Sequence, residues 1–225
     1  MRHLDPAALE RVTWEVISLG FVVAGDFVSF VEKSSQDEAL DAPIASPIAS
    51  QAPPPDPTQT SGFMRVLLHE SQRCMVKIIA VTAVHKVTGH ISSNFSCSFI
   101  SFADAPDGGT IWSYSTSDNA KGERRQGAIS ALWRRPRALF TRRPALSVPE
   151  LWQLHLQRRA QIAQIAGLTW NRATMQEAMN AEVRMGDHMR ACFAQLTPLK
   201  MAYRLWAFRF EKNPNEWLGE LEGRV

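Results

Sequence analysis

Hydrophobic positions change their period near the middle of the chain. Between residues 63 and 117 they fall in short runs broken by turn formers; beyond residue 147 they recur every three or four residues. Before both, Asp5 and Pro6 predict a capped helix over 6–18. Leu9, Val12 and Val16 lie on one face of it, and Gly20 is its left-handed stop. The run FVVAGDFVSFVEK reads as a first strand, with Gly25 marking a bulge or bend. Four further strands are expected in FMRVLLHE (63–70), CMVKIIAVTAVHK (74–86), ISSNFSCSFISFA (91–103) and TIWSYSTS (110–117). Their separators SQR, VTGH and DAPDGG are short, as in an antiparallel meander. In the third of these runs Phe95, Cys97 and Phe99 share one face, opposite Asn94, Ser96 and Ser98, the pattern of a half-buried strand.

The second half reads as helices. Ser147 and Glu150 form an S-x-x-E capping box with Pro149 early and Gly167 as the stop, predicting a helix over 148–166 with Leu151, Leu154, Ile162 and Ile165 on its inner stripe. A second helix, about 171–196, carries Met175, Met179, Met189, Cys192 and Phe193, with Gly186 weakening its middle. Thr197 and Pro198 restart the chain into LKMAYRLWAFRFEK, a third helix, and Pro214 opens a turn or short helix around Trp217. The expected fold is α+β: an N-terminal helix, a five-stranded antiparallel meander sheet, then three or four helices on one face, all in a single domain over 1–225.

Residues 34–62 interrupt that pattern. Six prolines, a near-repeat of APIAS and no aromatic residue leave too little apolar surface to offset ordering entropy, so a disordered Pro/Ala/Ser-rich insert is expected after strand 1. Composition is otherwise that of a globular protein, 45% hydrophobic and 21% charged. Cys74, Cys97 and Cys192 form no CxxC, and the N-terminus has no apolar leader, which reads as a reduced cytoplasmic chain. No run approaches the roughly 18 uncharged apolar residues of a membrane span: CMVKIIAVTAV holds Lys77, and MAYRLWAFRF is broken by Arg204 and Arg209.

The order LGF at 19–21, the turn FISFADAPDGGT at 99–110 and ELWQLHLQRR at 150–159 after an Arg-Pro segment resembles a group of bacterial proteins with no established activity. The resemblance implies a shared fold and brings no cofactor or catalytic residue with it.

Charge is segregated. Residues 121–159 hold ten Lys or Arg against Glu123 and Glu150, a local +8 in a chain of net +3. Arg124, Arg125, Arg134, Arg135, Arg137, Arg142 and Arg143, with Trp133 and Phe140 among them, suit phosphate contact and stacking. The competing expectation is an extended strap: Pro136 and Pro144 hold it, Trp133, Leu139 and Phe140 pack on the sheet, and the arginines face water or acids.

Other chemistry is thin. His3, His69, His85, His90, His155 and His188 show no metal-ligand spacing, and each alone reads as a surface or capped histidine; no metal and no cofactor is expected. Ser96, Ser98 and Ser101 lie in a strand, Cys97 alternates with phenylalanines as a buried small hydrophobe, and PDGGT (106–110) reads as a hairpin turn without the helix of a phosphate loop. Glu182, Arg184, Asp187 and His188 invite an acid-base reading but suit a solvated helix face. Met175, Met179, Met185 and Met189 are either core or an adaptable partner groove. The function expected first is non-enzymatic protein binding or self-association. Anion or nucleic-acid binding by the arginines over 124–143 is second, an enzyme with an unrecognised site last, and peripheral membrane contact a minor alternative.

Overall fold

A computed structural model of the chain describes residues 5–30, 61–84, 91–107, 111–118, 131–132, 134–211 and 213–224. Helix α1 (Pro6–Ser18) starts where the Asp5 carboxylate accepts a hydrogen bond from the Ala8 N–H at 3.1 Å. Strands β1 (Val22–Phe30), β2 (Ser61–His69), β3 (Cys74–Val84), β4 (Ile91–Ala103) and β5 (Trp112–Ser117) pair in sequence, each antiparallel to the last. The β1–β2 register shifts between Val23 and Gly25, so the bulge expected at Gly25 is present.

The meander does not end the sheet. Residues Ala138–Arg142, inside the arginine-rich segment, form β6, which pairs parallel to β5; β7 (Glu216–Trp217) then closes the edge antiparallel to β6. The sheet is therefore mixed, with seven strands in sequence order, where five antiparallel strands were expected. ALFTR is short and flanked by arginines and prolines, yet Leu139 and Thr141 alternate inward as in any half-buried strand. The turn or helix expected around Trp217 is instead β7 followed by a one-turn 3₁₀ helix, Gly219–Leu221.

Helices α2 (Val148–Ala166), α3 (Met175–Ala194) and α4 (Pro198–Phe208) start and stop close to expectation. Glu150 accepts from the Ser147 N–H at 2.8 Å and Oγ at 2.6 Å, and Gly167 ends α2 with φ 65°. The buried stripe of α2 is rotated from the expected one: Val148, Leu151, Trp152, His155 and Ile162 face inward, Leu154 is half-buried and Ile165 exposed.

The helices are not all on one face. Leu9 and Val16 of α1 and Leu151 and Trp152 of α2 pack on Leu67, Cys74, Val76, Ile78, Cys97 and Phe99. The opposite face carries Val66, Met75 and, from the segment leading into α3, Ala173 and Met175. Arg65 ties α1 to the sheet, donating to both carboxylate oxygens of Asp26 at 2.8 and 2.9 Å and to Glu10 at 2.9 Å. Most of the insert expected over 34–62 lies outside the described residues, while Ser61 and Gly62 open β2.

Candidate functional site

The arginine segment was the first candidate. Trp133, Arg124 and Arg125 lie outside the described residues. Arg134 is enclosed: its guanidinium sits 4.8 Å from the Trp217 ring centre, 5.5 Å from Phe208 and 5.6 Å from Phe140, and it pairs with Glu211 at 2.6 Å. Arg137 bridges Asp107 at 2.7 Å and Glu220 at 3.2 Å and stacks on Trp112. Arg142 lies over Phe140 at 4.5 Å, and Arg143 turns back to the Arg142 carbonyl. Arg135 is half-buried, and that burial, with Arg184 nearby, pushes its pKa down. The segment thus spends much of its charge inside the fold, joining β5, β6, α4 and the C-terminal turn.

A second cluster was not anticipated. His155 of α2, read above as a surface or capped histidine, is completely buried. Its Nδ1 lies 2.7 Å from Thr116 Oγ1, and its Nε2 3.0 Å from Ser101 Oγ and 3.5 Å from Cys74 Sγ. Tyr114 and Trp152 stack on the ring at 5.2 and 5.9 Å. Arg159 donates to Ser101 Oγ at 3.2 Å and to the Gln72 carbonyl at 2.6 Å. The cysteine–histidine pair has the composition of a nucleophile and its base, but burial acts against it. Desolvation pushes the Cys74 thiol up to about 12 and, with Arg159 adding, holds His155 well below its usual range. Burial thus favours the neutral form of both groups, and their hydrogen bonds make the cluster a satisfied core network. The sequence did carry a signal for it: His155 follows Leu151 by four residues, on the stripe that faces the sheet.

A groove of about 800 Å³ opens at the β2–β3 end, lined by Gly20, His69, Glu70, Ser71, Arg172 and Thr174 among others. His69 stacks on Trp152, and burial lowers its pKa while the Leu19 backbone accepts a hydrogen bond from it. Arg172 is already paired with Glu70, and Glu177 caps Thr174, so the polar groups of the groove largely answer one another.

The largest departure from a closed surface is α4. Leu199, Ala202, Tyr203, Trp206 and Phe210 recur at helical spacing, and the four large ones are 81, 66, 60 and 66% exposed. Trp206 stands 4.9 Å from Phe210 and 6.3 Å from Tyr203 in a continuous aromatic row. The helix is exposed along residues 198–206, Met201 and Leu205 included, and is held at its C-terminal end, where Phe208 is buried under Arg134, and by Arg204, which donates to the Leu132 carbonyl. On α3, Met179, Val183 and Phe193 are also exposed, while Met175 packs against Gly25. Glu182 and Met185 have side chains outside the described residues; Asp187 pairs with Arg190, and His188 Nε2 lies 3.3 Å from Cys192 Sγ.

No protein-family model, curated protein or solved structure matches this chain. What it does is therefore read from its own residues. Among the described residues no group of three His, Cys, Asp or Glu could hold a metal ion, and no helix is long and apolar enough to cross a membrane.

Proposed function

We propose that this protein is a docking module whose working surface is the outward stripe of α4. The observation that carries the reading is the exposure of Leu199, Tyr203 and Trp206 on one face of α4, continued by Phe210 just past the helix end. At about 150–250 Å² per aromatic side chain, the three aromatics present on the order of 400 Å² of ring surface, within the range of patches that mark interaction sites. Covering it would return roughly 10 kcal/mol at about 25 cal/mol per Å², against an association cost of roughly 4–15 kcal/mol. The stripe is thus enough for reversible binding and needs rim contacts for more. In this reading the Arg134 cage and β6 hold α4 in place, and the buried His155 network keeps the sheet rigid behind it.

The test is calorimetric titration of the protein with amphipathic helical peptides that present a Leu/Met face. Binding with a negative heat-capacity change, lost in Tyr203→Ser/Trp206→Ser, supports docking. A monomeric wild-type protein that binds none of them contradicts it.

A second reading keeps the arginines as an anion site. It is favoured by buried N–H groups of Arg134 (Nε, Nη2) and Arg135 (Nε) that have no hydrogen-bond partner among the described residues. Heparin retention that collapses between low and moderate salt and weakens in Arg135→Ala would support it; elution indifferent to both would end it.

A further inference from the structure

The charges around the stripe specify its occupant. Between residues 198 and 210 there are three cations, Lys200, Arg204 and Arg209, and no acid. Arg204 turns inward to Leu132. Lys200 follows Leu199 at the start of α4, and Arg209, its C-cap, precedes Phe210, so one cation adjoins each end of the stripe. Neither has an ion-pair partner among the described residues.

We propose that the stripe docks an acidic protein surface, an apolar helix face or groove rimmed by Asp and Glu. This rests on the docking reading above and adds the chemistry of the partner. Carboxylates on such a rim meet Lys200 and Arg209 while its apolar floor covers Tyr203, Trp206 and Phe210. A second copy of this chain fits poorly. Antiparallel pairing of two stripes sets Leu199 opposite Phe210 and gathers the Lys200 and Arg209 of both copies, with no acid from residues 198–210 to answer them. Of the carboxylates that line the concavity of about 420 Å³ at the Phe210 end, Glu211 is paired with Arg134 and Glu216 with Arg158, so neither offsets Lys200 or Arg209.

The experiment uses the whole chain and two fluorescently labelled helical peptides with the same Leu/Met face, one carrying Glu and the other Lys on its polar face. Light scattering and sedimentation with phosphatidylcholine vesicles, with and without phosphatidylserine, run alongside. The Glu peptide is expected to bind roughly tenfold tighter than the Lys peptide, in line with a few rim charge pairs of modest strength each. Raised salt should narrow the difference, and Lys200→Glu/Arg209→Glu should reverse the order. If both peptides bind equally and Trp206→Ser removes both, docking stands but the acidic partner is wrong. A dimer that Trp206→Ser dissolves assigns the stripe to a second copy and overturns the proposal, as does binding confined to phosphatidylserine vesicles. A folded monomer that binds neither peptide nor vesicle removes the docking reading itself.

Discussion

At the scale of single residues, the three cysteines separate by environment. Cys74 and Cys97 are buried and burial raises both thiols, whereas Cys192 is half-exposed beside His188. A thiol reagent at mildly alkaline pH should therefore titrate one cysteine in the native protein and all three in denaturant; three fast thiols in the native state would refute the buried network. His155 makes a pH prediction. Its folded pKa is depressed by burial, then by Arg159, so protons bind the unfolded chain first as pH falls below about 6.5. Stability is whole above that pH and declines below it, at up to about 1.4 kcal/mol per pH unit for one such histidine. Denaturant midpoints measured from pH 7.5 to 5 should fall accordingly, and His155→Gln should flatten the slope. A wild-type midpoint that stays level across that range contradicts the assignment.

Elements show why some of the fold was readable and some was not. The caps of α1 and α2, the bulge at Gly25 and the five meander strands depend on neighbours in sequence, and Asp5, Glu150 and Gly167 act as their residue types predict. β6 and β7 depend on distant partners. Nothing within ALFTR says that Ser113–Ser117 will receive it in parallel, and the two residues of β7 carry no periodicity at all. The strap's attachment is just as non-local: Gly219, at φ 53°, lets the C-terminal turn approach so closely that an added Cβ would sit 1.7 Å from the Pro136 carbonyl oxygen. Gly219→Ala must push the strap off the turn and strain the backbone, a loss of about 2 kcal/mol or more. A urea midpoint unchanged from wild type would show that the strap is not fastened there.

For the molecule as a whole, the sequence predicts the helix that carries the candidate site but does not single out its aromatic row. It runs that helix through Tyr203, Trp206 and Phe210; the structure ends it at Phe208 and holds it to the body through Phe208 and Arg204. Of the arginines conspicuous in the sequence, Arg134 and Arg137 are engaged in holding that helix and the C-terminal turn. Two inferences meet here: the strap stabilises, and α4 is left for a partner. Thermal unfolding of Tyr203→Ser/Trp206→Ser beside the wild type tests this most directly. Side chains that serve docking contribute little to folding, so the variant should melt at or slightly above the wild-type temperature. A drop of more than about 4 °C, the scale of a 1–2 kcal/mol loss in a chain of this size, would mean that the stripe belongs to the core and is not the protein's working surface.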